Sequence, residues 1–284
     1  MSYDVRYTRN GRVAIAYQVA GDGPVDLVIA PGFASQLDSL WEEPRLAAFL
    51  HRLAARTRLI LYDVREQGLS GLGRAPGLDD AVADLEAVLD AAGSERAVVF
   101  GISQGGPTAI AFASAHPGRT LGLVLYGTYA KAARSGDYPI GVAPEEVARF
   151  ADHAAEHWGG DAILPLFAPS ATGDAAFAAW WRRSGGAALS PSGVRTMLAR
   201  RAGLDVRGEL GAIRAPVLVL HRVGDRVNPV AHGRHLAQRI PGAAYHELAG
   251  DDHLWWLPEP GQVAAPVLDF VRRGIRPELA RPRG

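Results

Sequence analysis

Cysteine is absent from this 284-residue chain, which excludes disulfides, thiolate nucleophiles and zinc–thiolate centres outright. Lysine is nearly absent too: Lys131 stands alone, and the remaining basic residues are arginine. With abundant alanine and glycine, that usage hints at a GC-rich bacterial genome. Excess charge of either sign is also lacking, since 30 Lys and Arg balance 30 Asp and Glu. A formal net charge of zero gives no electrostatic argument for nucleic acid or an anionic membrane as partner. A small neutral or apolar substrate fits better, and a homodimer is left open. No apolar run approaches the roughly eighteen residues of a membrane span. Met1 to Tyr7 lacks the basic and apolar regions of a secretory signal, so a cytoplasmic location is expected.

What is present reads as a folded domain. The hydrophobic fraction of 48% and charged fraction of 21% are ordinary for a globular protein with a sizeable core. The length fits one α/β domain carrying an insertion. Val5 to Tyr7 and Val13 to Val19 read as an opening antiparallel pair. Apolar runs then recur at Leu27–Ala30, Arg58–Tyr62, Ala97–Phe100, Leu121–Leu125, Pro216–Leu220 and Ala243–Leu248. Helical spacing of three and four fills the gaps, roughly at Pro44–Ala55, Leu78–Ala92, Pro107–Ala115, Ala231–Arg239 and Glu259–Arg273. This alternation predicts a mostly parallel eight-stranded sheet flanked by helices.

The rhythm breaks between about Ser135 and Leu204, where helix-like pieces at Glu145–His157 and Asp174–Arg183 accompany Trp158, Trp180 and Trp181. A helical cap over residues 135–204, inserted after strand 6, is the expectation, with 1–134 and 205–275 forming the core. Such a cap would cover the carboxyl ends of the strands, where open α/β sheets bind ligands. The three tryptophans are then candidates to line an apolar substrate pocket. The alternative is a packed satellite with no substrate role. Residues 276–284, rich in proline and arginine, are expected to fray. No internal repeat is found.

The chemistry enters at Gly101-Ile102-Ser103-Gln104-Gly105-Gly106. A strand that turns at once into a helix holds its central residue in strained backbone angles and projects the side chain at the sheet edge, and the turn needs small neighbours. Ser103 is the candidate nucleophile. A serine hydroxyl is a poor nucleophile unless a base takes its proton and an acid orients that base. His253 follows the last strand and is the candidate base; Asp225 follows the seventh and is the candidate acid. The turn after strand 6, Tyr126-Gly127-Thr128, offers no competing carboxylate. His51, His153 and His157 lie in helix-like surroundings, His221 ends a core strand, and Asp251 and Asp252 read as turn residues. Two backbone amides should receive the developing oxyanion, those of Gln104 and of Phe33 after strand 3. No metal or cofactor is called for.

With these pieces in order, the chain resembles the α/β-hydrolase superfamily over nearly its whole length. It is similar in particular to a bacterial group of serine hydrolases that occur alone or fused to adenylate/guanylate cyclase domains. The matching stretches include Ile15-Ala16-Tyr17-Gln18-Val19, Pro31-Gly32-Phe33, Trp41-Glu42, Tyr126-Gly127-Thr128-Tyr129, Asp137-Tyr138-Pro139, Ala168-Pro169-Ser170, Leu220-His221-Arg222 with Gly224-Asp225, and Gly250-Asp251-Asp252-His253. The resemblance implies Ser103, Asp225 and His253 as a triad and ester hydrolysis as the activity, with thioester, lactone or carbon–carbon hydrolysis as variants. Epoxide hydrolase and dehalogenase chemistry is disfavoured, because those relatives carry Asp where Ser103 stands. A ligand-sensing protein acting through a partner is the rival from another class. Pro31-Gly32 replaces the His-Gly of many members, and Glu66 stands where relatives carry glycine. Either that turn tolerates a side chain or Glu66 adds a polar contact to the substrate pocket.

Overall fold

The computed structural model describes residues 3–73 and 77–275; the expected fraying of 276–284 lies outside the described residues. The strands are β1 (Arg6–Asn10), β2 (Val13–Ala20), β3 (Asp26–Ala30), β4 (Arg58–Tyr62), β5 (Ala97–Ile102), β6 (Thr120–Tyr126), β7 (Val217–Arg222) and β8 (Ala244–Leu248). They form one eight-stranded sheet in the order β1-β2-β4-β3-β5-β6-β7-β8. β1 and β2 pair antiparallel, β2 runs antiparallel to β4, and the other pairings are parallel.

Every residue of β3, β5, β6 and β7 is buried. This explains their continuous apolar runs, because a parallel sheet covered on both faces has no solvent side to mark with polar residues. Side-chain alternation still sorts them. Leu27, Ile29, Phe100 and Val124 face the helices α1 (Pro44–Ala54) and α9 (Gly261–Gly274), while Val28, Val99 and Leu125 face α2 (Leu78–Ala91), α3 (Gly105–Ala115) and α8 (Ala231–Arg239). Helix starts follow local chemistry. The Glu43 carboxylate accepts from the Leu46 amide at 2.7 Å, with Pro44 at the first helical position.

Between β6 and β7 the chain forms α4 (Pro144–Glu156), α5 (Leu164–Phe167), α6 (Ala175–Ala188) and α7 (Pro191–Arg201), and no named strand among the described residues. Their apolar residues Ala151, Ala154, Phe167, Phe177, Trp180 and Leu198 merge with the α1/α9 side of the core. Two differences from the sequence reading stand out. Helix α6 runs on through Gly185-Gly186, where a stop is expected, because the Trp158 indole packs there and donates to the Gly185 and Leu189 carbonyls at 3.1 and 2.8 Å. Helix α7 was not anticipated: it buries only Val194, Leu198 and Arg201, too sparse a stripe to read, although Ser190 caps the Gly193 amide at 3.1 Å.

Candidate active site

Strand β5 ends at Ile102 and α3 begins at Gly105, so Ser103 sits in the connecting turn with φ of +51°. That left-handed value is costly for a residue with a side chain. The surrounding contacts enforce it. A Cβ at Gly105 would lie 2.1 Å from the Ala30 carbonyl oxygen, and one at Gly101 would lie 2.6 Å from the Ala109 Cβ. The Ser103 amide donates to the Tyr126 carbonyl at 3.0 Å, and the Thr128 hydroxyl donates to the Ser103 carbonyl at 2.5 Å. Strand β6 and the turn after it thus pin the serine from behind.

The loop after β8 brings His253 Nε2 to 2.8 Å from Ser103 Oγ, and His253 Nδ1 to 2.7 Å from Asp225 Oδ2. The other Asp225 oxygen accepts from the Val227 and Asn228 amides, each at 2.9 Å. Burial raises the Asp225 carboxyl, but the His253 ring, His221 and the Asn228 amide outweigh it and hold the group below its ordinary value. Asp225 is thereby kept as the anion that an imidazolium needs beside it.

His221 lies behind this carboxylate, its Nε2 3.7 Å from Asp225 Oδ2 and 2.7 Å from the Asn228 carbonyl. Because a carbonyl only accepts, that nitrogen carries the proton. Burial lowers the His221 pKa, so the ring stays neutral and contributes an N–H without a charge. His51, His153 and His157 are exposed, away from this cluster.

Phe33 lines the same cavity as Ser103, Gln104 follows it in the chain, and neither the Phe33 nor the Gln104 amide donates to a protein acceptor among the described residues. An unpartnered pair of N–H groups beside a serine hydroxyl is what a developing oxyanion requires. Asp63, at the end of β4, has no exposed surface. It accepts from the Leu37 and Leu69 amides at 3.2 and 2.9 Å, which ties two loops beneath the site, and burial pushes its carboxyl up to about 6.

Two cavities share a wall at Pro31, Gly32 and Tyr62. The smaller, about 100 Å³, is walled by Phe33, Phe167, Trp158, Trp180 and Trp181 and reaches Ser103 and His253. All three tryptophans therefore face it, though Trp180 also donates its indole N–H to the Ser39 carbonyl at 2.9 Å and is only 7% exposed. Glu66 does not line that cavity. It lines the larger one, about 720 Å³, on the other side of Pro31 and Gly32, with its carboxylate 4.0 Å from Arg200. Its φ of +68° is the glycine-favouring conformation, so the turn accepts a side chain at the strained position.

Some participants carried no sequence signal. The His253 and Leu254 amides both donate to the Phe167 carbonyl, at 2.9 and 3.2 Å, and the Phe167 ring stands edge-on to the imidazole with centroids 5.6 Å apart. Asp252 is buried and accepts from the Ser170 amide at 3.0 Å, so it docks the histidine loop onto the helical segment and does more than shape a turn. Asn228 donates to the Gly127 carbonyl at 2.5 Å and closes the acid loop onto β6. Among the described residues, no group of three or more His, Asp or Glu is arranged to hold a metal ion. No helix among them is long and apolar enough to cross a membrane.

Residues 27–260 match the family model of the alpha/beta hydrolase fold. A pimeloyl-[acyl-carrier protein] methyl ester esterase of Aromatoleum aromaticum is 31% identical over 227 residues, covering 74% of this chain and 87% of that protein. A putative carbamate hydrolase of Caulobacter sp. is 28% identical over 78% of this chain and 83% of its own length. Among solved structures, an enol-lactonase from Burkholderia xenovorans superposes with a TM-score of 0.79 at 25% identity, covering 94% of this chain and all of that one. An esterase from Rhodococcus sp. gives 0.76 at 26% identity, over 96% of this chain and all of its own. The chain belongs to the α/β-hydrolase fold family.

Proposed function

We propose that this α/β hydrolase is a serine hydrolase of carboxylic esters, including thioesters or lactones, working without a cofactor through an acyl-enzyme. The observation that carries this reading is the continuous hydrogen-bond path from Ser103 Oγ through His253 to Asp225, at 2.8 and 2.7 Å, beside the two unpartnered amides. His253 Nε2 would take the Ser103 proton as Oγ attacks the carbonyl carbon, and the Phe33 and Gln104 amides would receive the oxyanion. The same imidazolium would protonate the departing alcohol. A water, deprotonated by the now neutral ring, would then cleave the acyl-serine and regenerate the hydroxyl. Asp225 would hold the ring in the tautomer that presents Nε2 to the serine.

The names of the relatives support the reading, since they are esterases, a lactonase and a carbamate hydrolase. We further propose that residues 135–204 act as a cap, with Trp158, Trp180 and Trp181 forming the apolar wall against which an uncharged portion of the substrate packs. The test is turnover of a panel of acyl esters by the native chain and by Ser103→Ala. A protein that binds ligands without turning any over would fail it, even if a serine-directed phosphonate probe labels Ser103.

A further inference from the structure

Pro31, Gly32 and Tyr62 line both cavities, while Ser103 lines the smaller and its neighbour Gln104 the larger, which puts an ester held at Ser103 beside their junction. The two cavities offer different surroundings. The smaller cavity is aromatic, while the larger is lined by Arg65, Glu66, Asp84, Arg200 and Arg201 among the described residues. Four of those charges cancel in pairs. Arg65 clasps Asp84 through two bonds of 2.6 and 2.5 Å, and Arg200 lies 4.0 Å from Glu66.

Arg201 is left over. Its side chain is 7% exposed, yet no carboxylate among the described residues pairs with it. Nη2 donates to the Val227 carbonyl and the Asn228 amide oxygen, and the guanidinium lies 4.8 Å from the Tyr129 ring centroid, so its partners are all neutral. Nε is buried with no acceptor, and Nη1 has none among the described residues. A guanidinium removed from water without an anion is costly unless a ligand supplies one. The amino-terminal end of α3, at Gln104, Gly105 and Thr108, opens on the same cavity and adds positive potential.

We propose that the larger cavity holds a carboxylate carried on the acyl part of the substrate, with Arg201 as its counter-ion. The inference rests on the ester-hydrolase reading for which end lies where. The leaving alcohol must sit beside His253 Nε2, which protonates it, and His253 lines the smaller, aromatic cavity. The acyl chain then runs past Gln104 into the larger one. The substrate class is a half-ester of a dicarboxylic acid with an apolar alcohol. A chain net charge of zero pointed to a neutral or apolar substrate, but net charge averages over the whole surface and is silent on one buried cation.

The test compares monobutyl half-esters of linear C4 to C8 dicarboxylic acids with the matching neutral ω-carboxamide butyl esters. For the native chain, kcat/KM should favour the carboxylate by about tenfold or more at the best length, the scale of one hydrogen bond to a charged group. Arg201→Met should bring that ratio to about one or below, and Arg201→Lys should retain part of it. A native ratio near one, or an Arg201→Met variant that loses both substrates equally, would overturn the proposal and make Arg201 a strut for the acid loop. Calorimetric titration of the same half-esters into Ser103→Ala, with and without Arg201→Lys, reads binding independently of turnover. If no ester is cleaved by the native chain, the hydrolase reading fails. The anion site then stands if binding weakens with Arg201→Lys, and falls if the half-esters do not bind.

Discussion

At the carboxyl ends of β5, β7 and β8, Ser103, Asp225 and His253 are each at most 5% exposed, and hydrogen bonds to backbone or to one another fix their polar atoms. The helices between β6 and β7 present the opposite case, with Trp158 and Trp181 only half-buried and Arg201 lacking an anionic partner among the described residues. Chemistry needs atoms held to a fraction of an ångström, and a packed sheet supplies that. On the proposed function, selectivity falls to the inserted helical layer, whose surface can be exchanged without disturbing the sheet. At one seam between the two, Phe167 and Ser170 bond the histidine loop through His253, Leu254 and Asp252.

The largest expected effect lies wholly on the sheet side. Ser103→Ala should lower kcat by about 10⁴-fold or more while leaving the melting midpoint near that of the native chain. Near-native turnover in a folded variant would break the division of labour at its first point. On the helical side, two neighbouring tryptophans should separate. Trp180→Ala removes a buried ring and its bond to Ser39, so urea titration should show a loss of about 3–5 kcal/mol. Trp181→Ala, half-buried in the cavity wall, should shift chain-length preference in kcat/KM more than stability. Equal destabilisation by both, with unchanged selectivity, would make the segment a mere brace.

Acid sensitivity should also divide between the regions. Burial holds His232, under the acid loop, down to about 3, whereas His153 and His157 on the helical segment are exposed. Below the unfolded value of about 6.5, the unfolded chain takes up a proton that folded His232 refuses, so stability is lost as pH falls through that window. Between pH 7 and pH 5 this one ring should cost about 2 kcal/mol. Asp63, raised to about 6, acts with the opposite sign between roughly pH 4 and 6, because the folded state retains its proton. The native chain minus His232→Gln, measured by urea unfolding at both pH values, isolates the histidine; parallel curves would contradict its assigned state.

The smallest effect distinguishes two strained residues at the strand ends. Ser103 and Glu66 both have left-handed φ, at +51° and +68°. Strain at the serine is tied to its projection, while nothing comparable requires it at Glu66. Glu66→Gly should therefore stabilise by about 1 kcal/mol, read as a rise in melting midpoint, and a fall would show that the pairing with Arg200 outweighs the backbone cost.

Much of the sheet side was legible in the residues alone. Leu27–Ala30, Arg58–Tyr62 and Ala97–Phe100 are short apolar runs bounded by turn residues, and Gly101 and Gly105 mark a turn too tight for larger neighbours. Chain order then singled out Asp225 and His253. The helical side was legible only as a break in rhythm. Helix α7 carries a thin apolar stripe, and α6 crosses a glycine pair because Trp158 packs there. Arg201 and Asn228 gave no signal and Asp252 reads only as a turn residue, since their roles arise from residues 26 to 101 positions away and no local spacing encodes such contacts. Glu66 stands out in the sequence for the glycine it replaces, but which cavity it lines depends on the packing of α7 against its turn.

The central claim is that Ser103 carries the acyl group during turnover. Rapid quenching of the native chain with a p-nitrophenyl ester, followed by peptide mass mapping, tests it most directly. The account predicts a burst of nitrophenol stoichiometric with the enzyme and an acyl adduct on the peptide containing Ser103, both lost in Ser103→Ala. Steady ester turnover with no acyl on Ser103, or an adduct on another residue that survives Ser103→Ala, would contradict it.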